Sequence, residues 1–193
     1  MPNWCYNELH VTGDHEDLDR FLNACIGLPA EYPSTPPEEL IRRKEPRFCF
    51  NALLPIPAEV LSHNTIPVSE LSVNLLSILT GQYSGELDSY HWKLLHWGTK
   101  WDVYDCNLTK NTIGFTPDSK EIRFNFDTAW SPPIPWFTEA VSRFPMLHFT
   151  LHYEEPGMNF AGDVYGSDGE TSEHNYSPDE LSELFQYDDE DSE

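Results

Sequence analysis

Positively charged side chains are scarce in this sequence, which has 11 Lys and Arg residues against 33 Asp and Glu residues and a formal net charge of -22. Proteins that bind nucleic acid by neutralising phosphates need clusters of cations, and so do proteins that adhere to anionic membrane surfaces. The sequence therefore predicts no direct contact with nucleic acid and no membrane association. A basic protein is the kind of partner that this charge favours, and simple solubility is the alternative explanation for the acidic residues.

Long apolar runs and a recognisable leader are also missing. No segment approaches the roughly 20 apolar residues that span a bilayer, and the start, MPNWCYNELH, has neither the basic region nor the apolar core of a signal peptide. We expect a cytoplasmic protein. Its four cysteines form no CxxC pair, so buried free thiols are predicted in preference to disulfides; they are Cys5, Cys25, Cys49 and Cys106.

Familiar catalytic and cofactor-binding motifs are absent. The sequence has no P-loop, dinucleotide fingerprint, EF-hand loop, zinc signature or GxSxG turn. Ser131 precedes two prolines, which predicts a helix N-cap and not a nucleophile. His148 and His152 share one face of a predicted strand, but four residues of strand place them about 13 Å apart, too far for one ion. We expect no metal and no cofactor, and a non-enzymatic role is favoured although the sequence alone does not decide it.

The apolar periodicity predicts a mixed α+β chain. The elements occur twice in the order strand, helix, strand, which predicts a ferredoxin-like α+β sandwich: an antiparallel sheet with helices on one face, plus insertions. The predicted strands are 4–12, 47–57, 101–109, 121–130 and 147–153, and the predicted helices are 14–27, 68–80, 87–97 and 132–144, with one short turn at 38–43.

The hexapeptide WGTKWD, residues 97–102, raises the main question about function. In a structural interpretation its tryptophans pack on the sheet, Gly98 ends a helix and the lysine lies along the surface. In a functional interpretation a pocket stacks a planar ligand. The structural interpretation is favoured, because a tryptophan-rich turn is more often core than ligand site. The candidate ligand-binding residues are Trp97, Lys100, Trp101, Asp102 and Trp130.

The C-terminal part is acidic: residues 154–193 hold 14 of the 33 acidic residues and no Lys or Arg. We expect a ferredoxin-like domain with inserted helices over 1–165, an extension with a short helix over 166–187, and an acidic disordered tail over 188–193. In the short helix Ser177 and Glu180 match a capping box. Its apolar stripe either docks on the domain, which is favoured for so short a helix, or binds a partner groove; the stripe is Leu181, Leu184 and Phe185.

Five motifs in order carry a family resemblance: MPNWCYNELHVTG, NALLPIP, WGTKWD, FDTAWSPP and FPMLHFTLHYEEPGMNFAG. Residue 1 to about residue 165 resembles the YubB ferredoxin-like family of phage- and plasmid-associated proteins. The resemblance implies the same fold, an origin in a mobile genetic element and therefore a location in the cytoplasm of a bacterial host. It transfers no catalytic residues, because the family has no established activity.

The sequence hypothesis is a non-catalytic binding protein of a mobile element that acts through protein contacts. A specific version is an acidic mimic of phosphates that antagonises a host nucleic-acid-binding protein. The alternative is a small-ligand-binding protein or unassigned enzyme with a tryptophan-lined pocket.

Overall fold

The computed structural model describes residues 3–30, 46–62, 88–108 and 115–186. The predicted helix at 68–80, the short turn at 38–43 and the acidic tail at 188–193 lie outside these residues. The described elements are β1 (Trp4–Thr12), α1 (His15–Cys25), β2 (Ile26–Gly27), β3 (Arg47–Phe48), α2 (Phe50–Leu53), α3 (Ala58–Ser62), α4 (Ser89–His96), β4 (Tyr104–Leu108), β5 (Glu121–Ala129), α5 (Ile134–Arg143), β6 (His148–Glu155), β7 (Phe160–Ser167), β8 (Glu170–Asn175) and α6 (Pro178–Gln186).

A six-stranded antiparallel sheet organises the fold, with the strand order β4-β5-β1-β6-β7-β8. The chain passes from β1 through α1 to β4, and from β5 through α5 to β6, so each helical connection skips one strand of the sheet. This split arrangement of β4, β5, β1 and β6 is the ferredoxin-like fold. The predicted fold class is therefore confirmed, and β7 and β8 extend its sheet on one side.

Strict alternation of side chains gives the sheet two different faces. In β1 every second residue is buried, and β1 pairs with β5 from Trp4↔Ala129 to Thr12↔Glu121 without a shift of register. We call the side that carries the buried positions the inner face and the opposite side the outer face. On the inner face Phe149 of β6 makes an edge contact with Phe21 of α1, at 5.4 Å between ring centroids. The helices α1 and α5 therefore pack on the inner face, as the alternation predicts.

Aromatic rings fill much of the inner-face core. Phe48 stacks on Phe124 with ring centroids 4.2 Å apart and meets the indole of Trp136 edge-on at 5.6 Å. Burial raises the pKa of the Cys49 thiol to about 12. The prediction of buried free thiols is confirmed for three cysteines, and Cys106 is partly exposed.

Residues 47–57 differ from the predicted strand. Only Arg47 and Phe48 pair, with β2, and the chain then forms the short helix α2. The prediction was wrong because the first backbone N–H groups of α2 donate to the carboxylate of Asp102. This acceptor is about 50 residues away in the sequence, so local sequence patterns do not reveal it. Ser131 also differs, since Pro133 occupies the N-cap of α5 and the Ser131 hydroxyl donates to the carbonyl of Gly98 at 2.6 Å.

The hairpin of β7 and β8 was not predicted. Its strands contain two glycines on the inner side of β7, and all six residues of β8 are exposed, so neither has the apolar alternation of a strand. Asp168 and Gly169 form its two-residue turn with positive φ angles of 53° and 80°. The expected domain boundary at residue 165 falls inside β7, and the sheet continues to Asn175.

Candidate functional site

The motif WGTKWD is divided between the core and the surface. Trp97 is fully buried, and its indole N–H donates to the carbonyl of Leu54 at 3.0 Å. Gly98 has a φ of +82°, and a Cβ there would lie 2.6 Å from Pro135 Cδ. The structural interpretation therefore holds for Trp97, and Gly98 ends α4 as the sequence predicts.

Asp102 is also part of the framework. Its side chain is 1% exposed and accepts backbone N–H groups from Ala30, Phe50, Asn51 and Val103 at 2.7–3.3 Å. Burial raises the pKa of this carboxyl group, and the four N–H donors oppose that rise. A carboxylate held by so many backbone donors joins three loops together, and the structure does not bring it to a ligand surface.

The remaining residues of the predicted site reach the outer face and meet aromatic side chains from two strands. The indole of Trp4 stacks on the ring of Tyr104 at 4.4 Å and lies 5.9 Å from Trp101. The ammonium group of Lys100 lies 4.3 Å from the ring of Trp101 and 5.6 Å from that of Trp130. We call this group of five side chains the aromatic corner.

Trp130 is the most unusual member of the aromatic corner. Its φ angle is +75°, a left-handed conformation that costs a bulky residue energy, and its side chain is 44% exposed. Its backbone N–H donates to the carbonyl of Asn3 at 3.0 Å, which fixes the turn after β5. A strained backbone that presents a large ring to solvent is a frequent property of functional sites.

Carboxylates continue the outer face from the aromatic corner along β1, β5 and β6. The register places Tyr6 of β1 between Asp127 of β5 and Glu154 of β6, with Glu8 one outer position further along β1. Burial, followed by the charges of Glu8, Glu154 and Asp127, raises the pKa of the Tyr6 phenol. The one arginine on this part of the face, among the described residues, is Arg123, which lies 3.7 Å from Glu8.

A histidine network continues the outer face over β6 and β7. His152 Nδ1 lies 2.9 Å from Asp163 Oδ1, and the hydroxyl of Tyr176 donates to the other oxygen of that carboxylate at 2.9 Å. His152 is therefore a hydrogen-bonded histidine of the outer face, and His148 lies on the same face, exposed. Within the described parts of the chain no three His, Cys, Asp or Glu side chains are grouped to hold a metal ion.

An open groove of about 420 Å³ lies at the far end of the outer face. It runs across β6, β7 and β8 next to the turn at Asp168, and Tyr165, 47% exposed, contributes an aromatic ring to it. The other polar residues that line it are His148, Thr150, Ser167, Asp168, Glu170, Thr171 and Ser172.

The predicted partner-binding stripe lies on α6, next to this face. Leu181 is 8% exposed, whereas Leu184 and Phe185 are partly exposed. The capping box is present: the carboxylate of Glu180 accepts the backbone N–H of Ser177 at 2.7 Å. Glu180 also lies 3.0 Å from His174 Nε2, which attaches the first turn of α6 to β8.

The fold places the sequence in a general class, a ferredoxin-like α+β domain with an extended sheet. Residues 100–193, which include β4 to β8, match the family described as "ferredoxin-like domain in Api92-like protein". Among solved structures, the protein Api92 from Yersinia pseudotuberculosis is similar at 13% identity, with a TM-score of 0.49, over 92% of this chain and 100% of that chain. A comparison with curated proteins found no match.

Sequence reasoning missed two of the five side chains of the aromatic corner. Trp4 and Tyr104 were assigned to strands without a role, although both occupy outward positions near the same end of the sheet. The outward direction of Trp4 could have been read from the alternation in β1, but its contact with Tyr104 depends on β5 lying between β1 and β4.

The described helices include none that is long and apolar enough to cross a membrane.

Proposed function

We propose that this protein is a non-catalytic binding protein that docks a basic partner protein on the outer face of its sheet. The observation that carries the proposal is the aromatic corner beside the carboxylates of Glu8, Asp127 and Glu154. Tryptophan and tyrosine dominate the energetic centres of protein interfaces, and carboxylates around them select and steer a positively charged partner.

The finer proposal keeps the origin in a mobile genetic element and a target in the bacterial host. The target is a nucleic-acid-binding protein, whose phosphate-binding surface the carboxylates imitate. The net charge of -22 supports this version, because such a surface repels nucleic acid and attracts its binding proteins. Binding should weaken steeply as salt is raised, since exposed charges are screened beyond about 10 Å at 0.1 M ionic strength.

The partly exposed Leu184 and Phe185 of α6 are a proposed second contact for the same partner. They lie next to the docking surface, because the contact between His174 and Glu180 attaches the first turn of α6 to β8. Leu181 is buried and is assigned to docking of α6 on its own domain.

The experiment compares two variants of equal net charge on affinity columns loaded with bacterial lysate. One variant carries Glu8→Gln, Asp127→Asn and Glu154→Gln on the outer face. Its matched control carries three neutralisations at exposed positions elsewhere; these are Glu16→Gln, Asp19→Asn and Asp118→Asn. A partner retained by the unmodified protein and by the control, but released from the outer-face variant at lower salt, supports the proposal.

Equal losses in the two variants would contradict the proposal, because they would mean that net charge alone holds the captured protein. The mimicry version needs one more result. The captured protein must bind DNA or RNA, and adding the unmodified protein must displace that nucleic acid in proportion to its concentration.

The second candidate function is a small-ligand site at the aromatic corner. It is favoured by the position of Lys100 between two partly exposed indoles, a geometry that suits a planar anion. Titration of tryptophan fluorescence with nucleotides and other planar anions tests it, with Trp101→Phe and Trp130→Phe to assign the signal. A saturable change that either substitution removes would favour this function over partner docking.

A further inference from the structure

β8 is the terminal strand of the sheet, and its second edge meets no other strand in the described parts of the chain. All six of its residues are exposed, which shows that this edge is accessible along its length. A strand edge of this kind presents a row of backbone N–H and C=O groups that can pair with another extended chain.

The hydrogen-bonding pattern identifies the groups on the free edge. The N–H of Tyr176 donates to the carbonyl of Ala161 on β7 at 3.0 Å. Because bonded positions alternate in an antiparallel pair, His174, Ser172 and Glu170 also bond towards β7. The N–H and C=O groups that point away from the sheet therefore belong to Thr171, Glu173 and Asn175.

Charge decides which chain fits this edge. Glu170 and Glu173 lie on β8, Asp168 is in the preceding turn, and no Lys or Arg occurs anywhere in residues 154–193. A second copy of this acidic chain would bring like charges together. An extended segment that carries Arg or Lys would instead lie next to the opposite charges of Glu170 and Glu173.

The groove beside β8 provides a place for one of those side chains. The exposed ring of Tyr165 forms part of its wall, and Asp168 and Glu170 are within the same lining. An aromatic face with nearby carboxylates is suited to a guanidinium or ammonium group. In an added strand every second side chain points to the outer face, where the groove lies.

We propose that an extended basic segment of the partner adds as a strand to the free edge of β8 and places an arginine or lysine side chain in the groove at Tyr165. This inference rests on the proposed function and specifies how the partner is held. Backbone pairing supplies affinity for any extended chain, and the groove with its carboxylates selects a basic one.

The test uses the full chain and a fluorescent synthetic peptide of alternating arginine and threonine residues. Thr171→Pro removes one N–H group that points away from the sheet. No hydrogen bond between β7 and β8 depends on that group, because Thr171 is a non-bonded position of the pair. Thr171→Val keeps that N–H group and is the matched control. We expect Thr171→Pro to weaken peptide binding about fivefold or more and Thr171→Val to leave it unchanged, with circular dichroism to show that both variants are folded.

Amide hydrogen exchange in the unmodified protein gives a second readout that needs no substitution. The peptide should slow exchange at Thr171 and Glu173. Equal affinity in the two variants together with unchanged exchange would overturn strand addition. The proposed function would still stand if the outer-face variant, with Glu8, Asp127 and Glu154 neutralised, lost the peptide and its matched control did not.

Two further outcomes are decisive. Absence of peptide binding to the unmodified protein would overturn strand addition, and the comparison of the outer-face variant with its control in lysate would still decide the proposed function. Self-association in sedimentation experiments that Thr171→Pro abolishes would overturn the inference, because the occupant of the edge would then be a second copy of this chain.

Discussion

The carboxylate of Asp102 contacts the protein's own backbone, although its position in WGTKWD resembles that of a ligand-binding group. Its oxygens accept N–H groups from the end of the α1–β2 region, from α2 and from Val103. Sequence reasoning had no means of separating it from Lys100, two residues away, which reaches the surface. The difference depends on which side of one loop faces the core.

Replacing Asp102 by alanine should therefore destabilise the fold strongly. The substitution leaves several buried N–H donors without an acceptor, and we expect a loss of about 3 kcal/mol in the free energy of unfolding. Urea denaturation measures it, with the exposed Asp118→Asn as the control that should change little. An Asp102→Ala protein as stable as the control would show that other groups hold these loops.

Trp130 illustrates a conflict between stability and exposure at a single residue. If the turn keeps its positive φ at position 130 in both variants, Trp130→Gly should be more stable than Trp130→Ala by about 1 kcal/mol. The reason is that only glycine adopts this conformation without strain. Thermal unfolding of the two variants measures the difference. Equal stability would mean that the turn relaxes, and that the backbone stores no strain there.

Among the elements, those with strong local patterns were predictable. The bounds of β1 and the core positions of α1 follow from apolar spacing, and Gly98 marks the end of α4. β7 and β8 were not predictable in the same way, because the glycines of β7 gain strand structure by pairing with β6, and the exposed polar residues of β8 by pairing with β7. The α2 segment failed for a related reason, since its cap comes from a distant residue.

Gly166 of β7 shows how closely the inner face packs. A Cβ there would overlap Val141 Cγ2 of α5. We expect Gly166→Ala to lower the free energy of unfolding by about 1–3 kcal/mol, as overpacking does. The double variant with Val141→Ala should recover part of that loss; no recovery in a denaturant titration would argue against this helix–strand contact.

The first turn of α6 should depend on pH through Glu180. Hydrogen bonds from the Ser177 backbone and hydroxyl, then from His174, lower the pKa of its carboxyl group from 4.5 to about 2. The ionised carboxylate of Glu180 stabilises this turn fully above pH 4.5, and that stabilisation is lost as the pH falls through about 2. NMR titration of the Ser177 amide should follow this midpoint, and Glu180→Gln should remove the transition. A midpoint near 4.5 would show that the capping box does not form.

At the scale of the whole molecule, the charge of -22 works against the folded state because the compact form brings like charges together. We expect the urea midpoint to rise when sodium chloride screens this repulsion. Partner binding should respond in the opposite direction. A midpoint that falls with salt would mean that attractive ion pairs dominate the electrostatics of the fold.

The central claim also concerns the whole molecule: the outer face of the sheet is a docking surface for a basic partner. Photo-crosslinking tests it most directly: a photoreactive phenylalanine analogue replaces either Tyr104, in the aromatic corner, or Met146, which is 71% exposed at the chain between α5 and β6. With the captured basic partner present, the account predicts a crosslinked product from position 104 and none from position 146. Crosslinking from position 146 alone would contradict it.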